Sequence, residues 1–373
     1  MAYLGEDIPK LGFGLMRLPM IDNQIDIMQT QEMVDMFLGS GFTYFDTAYI
    51  YLDGKSEEAV KTAIVNRHQR EKYQIASKLS VWLGAKTAEE AKQMFWTSLK
   101  RTGAEYFDYF LLHNLGSTRT KSFYDFGMWD YILELKEKGL VRHVGFSIHD
   151  KAELLDKTLT KHPEMEFVQL QINYADWESG SVQSRKCYEV AQKHNKPIIV
   201  MEPIKGGMLA DTLAPDVKAV FDRTGVCASY ASWALRYAAS FDGVITVLSG
   251  MSTIDQMRDN VSIMTDFQPL DENERAVIDE ALRTLSSIPS IQCTACGYCL
   301  RGCPKGIVIP NIFEAMNKEL IFKHPASAKS WYRWETLFGG KGSDCTKCGA
   351  CEDACPQELR VMQLLKDAAA KYE

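Results

Sequence analysis

Apolar positions follow two alternating rhythms along the first 265 residues. Short strand-like runs stand at LGFGLMRL (11–18), FTYFD (42–46), YQIASKL (73–79), FDYFLLH (107–113), RHVGFS (142–147), FVQLQI (167–172), PIIVME (197–202) and GVITVL (243–248). Between them lie stretches with a helical period, among them TQEMVDMFLGSG, AEEAKQMFWTSLKRTG, MWDYILELKEKG and ASYASWALRYAAS. Gly41, Gly103 and Gly139 close three of these stretches where a helix C-cap falls. Eight strands alternating with helices over about 250 residues predict an α/β fold, a (β/α)8 TIM barrel. A doubly wound sheet is the competing architecture. It is disfavoured because no G-x-G-x-x-G follows any strand; Gly12–Phe13–Gly14 is only a fragment of that pattern.

The pattern changes after residue 265. A helix-rich stretch, PLDENERAVIDEALRTLSSIP, leads into a segment that holds eight of the ten cysteines, from Cys293 to Cys355. The expected division is a barrel over 1–270, a bridging helix over 271–290 and a small, mainly helical domain over 291–373. The chain has 42 Lys and Arg against 49 Asp and Glu, a net charge of −7, which gives no reason to expect nucleic acid as a partner. No apolar run reaches the ~18 residues of a membrane helix, so no membrane is expected either. The N-terminus has neither the basic start nor the apolar core of a signal peptide. Clustered cysteines, with only Cys187 and Cys227 elsewhere, predict metal binding in a reducing, cytoplasmic compartment rather than a disulfide framework. Cys187 and Cys227 read as small buried hydrophobes on helices.

Cys293, Cys296, Cys299 and Cys303-Pro304 follow C-x₂-C-x₂-C-x₃-C-P, and Cys345, Cys348, Cys351 and Cys355-Pro356 repeat it. This is the bacterial two-[4Fe–4S] ferredoxin run, in which each fourth cysteine ligates the cluster of the other motif. One cluster would take Cys293, Cys296, Cys299 and Cys355, the other Cys345, Cys348, Cys351 and Cys303. Zinc ribbons also pair C-x₂-C, but the third cysteine and the duplicated C-P argue against zinc. The helix-like stretches IPNIFEAMNKELIFK and WYRWETLF separate the motifs, and Trp331, Tyr332, Trp334 and Phe338 are expected in that domain's core or at its contact with the barrel.

On a barrel, side chains at strand C-termini reach the mouth, which places Asp46, Lys78, His113, Ser147 and Glu202 there. Tyr51 follows on the loop after Asp46. A buried Lys favours tyrosinate and lowers the phenol's pKa, an Asp keeps the Lys charged and placed, and a His can hold a carbonyl oxygen. The set suits protonation of a carbonyl oxygen while hydride reaches its carbon, or the reverse.

FDTAYIY, the Lys of ASKL and the His of YFLLHN resemble the catalytic signatures of the aldo-keto reductases, in order and spacing over residues 8–265. The resemblance implies a (β/α)8 barrel, a nicotinamide cofactor and a small carbonyl or alcohol substrate. It makes Tyr51 the general acid–base, Lys78 its pKa partner, Asp46 the end of the relay and His113 the group that orients the carbonyl. Ser147 and Gln169 match carboxamide-binding positions, although Ile148 stands where Asn is usual. Met201 stands where an aromatic residue commonly stacks on the nicotinamide, with Glu202 next. Gly250, Met251 and Gln256 replace the basic and hydroxyl positions that clamp a 2′-phosphate, so NADPH preference is not expected; Asp259 and Asn260 match the adenine-contacting pair. Arg258 lies on the wrong helix face to replace the missing cation.

An aldo-keto-reductase barrel followed by a two-cluster ferredoxin module resembles a predicted class of iron–sulfur oxidoreductases. Nicotinamide passes two electrons as hydride and each cluster passes one, so a flavin, a radical substrate intermediate or a partner protein must convert between them. Three functions follow. The first is an NAD(P)H-linked carbonyl reductase whose clusters serve a ferredoxin- or flavodoxin-like carrier. The second is a reductase fed by the clusters through a flavin. The third is a non-enzymatic electron-transfer subunit.

Overall fold

The computed structural model describes residues 4–5, 8–117, 119–210, 213–225, 229–293, 297–355 and 357–373. Eight parallel strands close into a barrel: β1 (Leu11–Gly14), β2 (Tyr44–Asp46), β3 (Gln74–Leu79), β4 (Phe107–Leu115), β5 (Val141–Ile148), β6 (Phe167–Gln171), β7 (Ile198–Met201) and β8 (Val244–Ser249). β1 pairs with both β2 and β8, which closes the ring. The expected fold class and all eight strands are present. The first is shorter than its apolar run, because Leu15–Arg17 form a 3-10 turn whose Leu15 carbonyl accepts from Ser56 Oγ.

Outer helices include α1 (Ile27–Gly39), α2 (Lys55–Val60), α3 (Ala88–Thr102), α4 (Met128–Glu137), α5 (Ala152–Lys161), α6 (Ser184–Lys193), α7 (Tyr230–Ala239) and α8 (Ile254–Met264). Their ends obey capping chemistry. Asp26, Thr87 and Thr253 accept backbone N–H bonds at the starts of α1, α3 and α8. Gly41, Gly103 and Gly139 follow α1, α3 and α4 with φ of +87°, +65° and +71°, the left-handed turn that glycine adopts without strain.

The two-residue period of each strand positions the mouth. Tyr44, Ala76, Tyr109, Leu111, Phe167 and Ile199 form one buried apolar cluster. Asp46, Lys78, His113, Gln169 and Met201 each stand two residues further along the same strands and therefore face the same side. The aromatic floor beneath them is fully buried, at about 1.5–3 kcal/mol per large side chain.

The chain separates into two compact units, one of residues 1–205 and 231–271 and the other of residues 206–230 and 272–373. Residues 206–230, which a boundary at 270 would leave with the barrel, thus group with the cysteine-bearing end. The second unit contains a helix at Pro215–Asp222 packed on α9 (Glu272–Ser286), followed by α10 (Ile309–Phe322), α11 (Pro325–Glu335) and α12 (Val361–Tyr372). Ile307, Ile309, Ile312, Phe313, Tyr332, Val361, Leu365 and Tyr372 form its core together with Cys299 and Cys351. Tyr332 is buried as expected, with its hydroxyl bonded to Glu373 Oε1 at 2.6 Å and to the Gly342 N–H at 2.8 Å. Phe338 is instead 49% exposed, because α11 ends at Glu335 and leaves it on the following turn. Among the described residues no helix is long and apolar enough to cross a membrane.

Candidate active site and cysteine cavities

Lys78 ends β3 fully buried, and three acceptors hold its ammonium: Asp46 Oδ1, the Thr47 carbonyl at 2.8 Å and the Tyr51 hydroxyl at 3.2 Å. Gln169 Nε2 donates to the other Asp46 oxygen at 3.1 Å. His113 stands beside this chain, its ring centroid 5.8 Å from that of Tyr51 and inclined 77° to it. Ser80 Oγ lies 2.7 Å from His113 Nδ1, and Trp82 Nε1 donates to the His113 carbonyl at 2.8 Å. The structure thus brings Asp46, Tyr51, Lys78 and His113 together. Thr47, Ser80 and Trp82, which support them, carry no motif by which the sequence would single them out.

The loop that presents Tyr51 is strained and pinned. Leu52, Asp53 and Gly54 have φ of +51°, +56° and +87°, a costly run for two non-glycine residues. Arg101 of α3 holds it: Nη1 donates to the Tyr49 carbonyl at 3.1 Å and reaches the buried Glu57 at 3.4 Å, and the guanidinium lies 4.6 Å from the Tyr49 ring. A Cβ at Gly54, where φ is +87°, would stand 2.6 Å from Arg101 Cζ and displace the guanidinium, so this turn favours glycine.

Burial sets the protonation states here. It raises the Asp46 carboxyl above its ordinary value, against the pull of Lys78. It would strip Lys78 of charge, but Asp46 and Tyr51 outweigh it and hold the ammonium above the usual lysine value. The Tyr51 phenol is raised as well, because its burial and the Asp46 charge together outweigh Lys78. Lys78 does pull the phenol down, as expected, but burial is the larger effect. Burial first, then Lys78, His149 and Arg119, push His113 well below the usual histidine range. Desolvation first, then Arg119, push His149, just past β5, down to about 4.

The expected cofactor positions are held as follows. Ser147 Oγ is buried and accepts the Asn114 N–H at 2.7 Å. Met201 is half-buried at the end of β7, and Gly250 is exposed after β8. Asn260 is buried, with its amide donating to Ser249 Oγ at 2.7 Å, and Asp259 beside it on α8 is half-buried. Met251 is buried, and Gln256 Oε1 accepts the Ser252 N–H at 2.8 Å. Arg258 pairs with Asp255 at 2.6 Å on the exposed side of α8. Arg17, which the sequence did not single out, reaches Glu202 Oε1 at 3.3 Å.

In the second unit, Cys293, Cys299 and Cys355 line one cavity of about 350 Å³ with Ile309, Phe313, Leu359 and Val361. Cys303, Cys345, Cys348 and Cys351 line another of about 300 Å³ with Lys305, Ile307, Ile309 and Met362. Each cavity takes its fourth-position cysteine from the other motif, Cys355 in the first and Cys303 in the second, and Ile309 lines both. Cys296 and Cys227 lie outside the described residues. Among the described residues no three His, Cys, Asp or Glu side chains converge on a single metal ion. Cys187 is a buried residue of α6 whose thiol burial pushes up to about 12.

The barrel and its mouth define an oxidoreductase scaffold, and comparison with known proteins agrees. Residues 10–283 match the aldo/keto reductase family and residues 291–360 the 4Fe-4S dicluster domain. The chain belongs to the aldo/keto reductase family and carries a 4Fe-4S dicluster domain at its C-terminal end. It is 22% identical over 309 residues to an uncharacterized oxidoreductase of Bacillus subtilis, YqkF, covering 75% of this chain and 92% of that protein. It is 26% identical over 217 residues to a glyoxal reductase of the same organism, covering 52% of this chain and 73% of that protein. A Bacillus halodurans aldo-keto reductase in its holo form superposes with a TM-score of 0.61 at 24% identity, covering 74% of this chain and 92% of that one. A Klebsiella pneumoniae aldo-keto reductase in complex with NADPH gives 0.57 at 23% identity, covering 73% and 90%.

Proposed function

We propose that this protein reduces a small carbonyl substrate with NAD(P)H, or oxidises the corresponding alcohol with NAD(P)+. The observation that carries this reading is the buried chain from Asp46 through Lys78 to the Tyr51 hydroxyl, with His113 beside it. Bound nicotinamide supplies or accepts the hydride. Tyr51 donates its phenolic proton to the carbonyl oxygen, and the Lys78 ammonium stabilises the phenolate left behind. His113, neutral because of its burial, orients the carbonyl oxygen by hydrogen bond. Asp46, itself held by Gln169 Nε2, keeps Lys78 in place, and the Ser147 hydroxyl proton and Gln169 Oε1 would meet the carboxamide. The glyoxal reductase relative supports reductive carbonyl chemistry without naming this chain's substrate.

The second unit holds two [4Fe–4S] clusters in this reading, one on Cys293, Cys296, Cys299 and Cys355 and one on Cys345, Cys348, Cys351 and Cys303. The two cysteine-lined cavities fit those ligand sets, and Ile309 between them leaves a short path for one-electron transfer. The clusters relay electrons to or from a ferredoxin- or flavodoxin-like carrier.

Tyr51→Phe tests the barrel chemistry. It removes the proton and keeps the Asp46–Lys78 pair, so kcat for carbonyl reduction should fall about 10²–10⁴-fold with nicotinamide binding retained. Unchanged turnover would defeat the reading. The relay is tested by anaerobic titration of cluster-loaded protein with NADH, NADPH and then dithionite, following the visible band and electron paramagnetic resonance. The cationless positions at Gly250 and Gln256 favour a second reading, in which the clusters feed the barrel through a flavin. Flavin in anaerobically prepared protein would support it; full activity with NADH in flavin-free protein would exclude it.

A further inference from the structure

The two cysteine motifs repeat one another, so each residue of one has a counterpart in the other. The backbone keeps the repeat: Gly297 and Gly349 have φ of +76° and +85°, and Gly306 and Glu358 have φ of +59° and +51°. The side chains break it. Between the first two cysteines stand Thr294 and Ala295 in one motif, Thr346 and Lys347 in the other. The fourth cysteines lead into Pro304–Lys305 and Pro356–Gln357. Because each fourth cysteine crosses over, both lysines come to one cavity. Lys305 and Thr346 line the cavity of Cys303, Cys345, Cys348 and Cys351, and Lys347 stands between Thr346 and Cys348. Gln357 lines the cavity of Cys293, Cys299 and Cys355, where no described lining residue carries a charge.

Exposure separates the cavities in the same direction. Of the described motif cysteines, Cys348 alone is exposed; Cys299 and Cys351 are buried and the others half-buried. Lys305 and Lys347 are exposed as well. Lys347 holds a φ of +59°, which glycine would adopt without strain, so a lysine side chain is kept there at a cost to the backbone. Two neighbouring acids are turned to backbone donors: Asp344 accepts the Lys341 N–H at 2.9 Å and Glu352 the Met362 N–H at 2.9 Å.

Electron transfer slows steeply with distance, so exchange with another protein runs through the cluster nearest the surface. An exposed thiolate ligand beside two lysines offers a short way out and a positive landing site, which speeds encounter with a negatively charged protein. We propose that the cluster of Cys303, Cys345, Cys348 and Cys351 is the one that exchanges electrons, and that Lys305 and Lys347 dock an acidic one-electron carrier protein against Cys348. This rests on the two-cluster reading above and adds the site of exchange and the charge of the partner.

The test uses the full chain with its clusters loaded, reduced with dithionite, desalted and mixed anaerobically with excess oxidised flavodoxin of strongly negative net charge. Each reduced cluster loses one electron. The flavin gains that electron and a proton from water and becomes the neutral semiquinone, whose long-wavelength absorbance is followed. A basic cytochrome c, which takes one electron at its ferric haem, is the second acceptor. Lys305→Glu combined with Lys347→Glu should slow flavodoxin reduction about tenfold at low salt, with the difference fading as salt rises. Cytochrome c reduction should stay equal or become faster. Calorimetric titration of the oxidised proteins, in which no electron moves, should show flavodoxin affinity lowered by about the same factor. Lys186→Glu, at an exposed position of α6, should change neither acceptor. An unchanged flavodoxin rate in the double variant overturns the proposal, as does a wild-type chain that does not reduce flavodoxin. Equal slowing of both acceptors marks a damaged cluster, and a matching effect of Lys186→Glu marks net charge alone; each overturns it too. If the loaded wild-type chain shows no [4Fe–4S] signal by electron paramagnetic resonance, the two-cluster reading itself falls.

Discussion

His113 and Tyr51 owe their protonation states to burial, and each sets a testable pH dependence. The His113 imidazole is held well below the usual histidine range. It stays neutral through the interval around pH 6.5 where an ordinary histidine gains its proton. Carbonyl reduction should therefore show no break between about pH 6 and 8. The Tyr51 phenol is raised, so the proton it donates is present throughout neutrality, and reduction should decline only above about pH 10. Alcohol oxidation needs the phenolate and should rise over the same alkaline range; pH profiles of kcat in both directions check this. Lys78→Met would leave the Asp46 charge buried without its partner and should cost about 3–5 kcal/mol in denaturant unfolding. Adding Asp46→Leu should recover part of that loss, because the stranded charge is then removed.

At the scale of elements, α3 reaches across to the Tyr51 loop through Arg101. Arg101→Ala removes the anchor of three consecutive left-handed residues, and the phenol should lose its fixed place. The expected result is a kcat lower by about tenfold to a hundredfold with nicotinamide affinity unchanged. In the second unit, α10 presents Ile309 to both cysteine cavities. Ile309→Ala should destabilise that unit by about 2–5 kcal/mol, seen in denaturant unfolding. The strands and most helices were legible because their apolar period is local. Asp46, Lys78 and His113 were legible for the same reason, at the C-terminal ends of their strands, whereas Gln169 was found through its match to a family position. Trp82, Arg101 and Arg17 were not. Their partners stand 31, 52 and 185 residues away, and no local spacing records such a contact.

At the scale of the molecule, the chain leaves the barrel unit after residue 205 and rejoins it at residue 231. Val217, Val220 and Phe221 on the intervening helix are buried, and that helix packs on α9. A truncation at residue 271 should therefore expose them and give a poorly soluble product with a lowered melting temperature, although the barrel strands remain intact. Removal of iron should act on the second unit, whose apolar core includes Cys299 and Cys351. Ligand thiolates without their cluster lose the binding energy that is coupled to folding. Calorimetry of chelated protein should show the transition of this unit shifted downward and that of the barrel retained.

The alternation of apolar and polar residues by itself determined the eight-stranded barrel and the strand ends that form its mouth. Cysteine spacing by itself determined a two-motif iron–sulfur domain. Both follow from short-range geometry, since side chains two apart on a strand share a face and two-residue cysteine spacings let thiolates converge. Only the tertiary structure decided that the Tyr51 phenol is raised rather than lowered, that residues 206–230 join the second unit, that Ile309 borders both cavities, and that Arg17 reaches Glu202. Each of these depends on how much protein surrounds a group and on which distant segments meet, quantities set by packing of the whole chain.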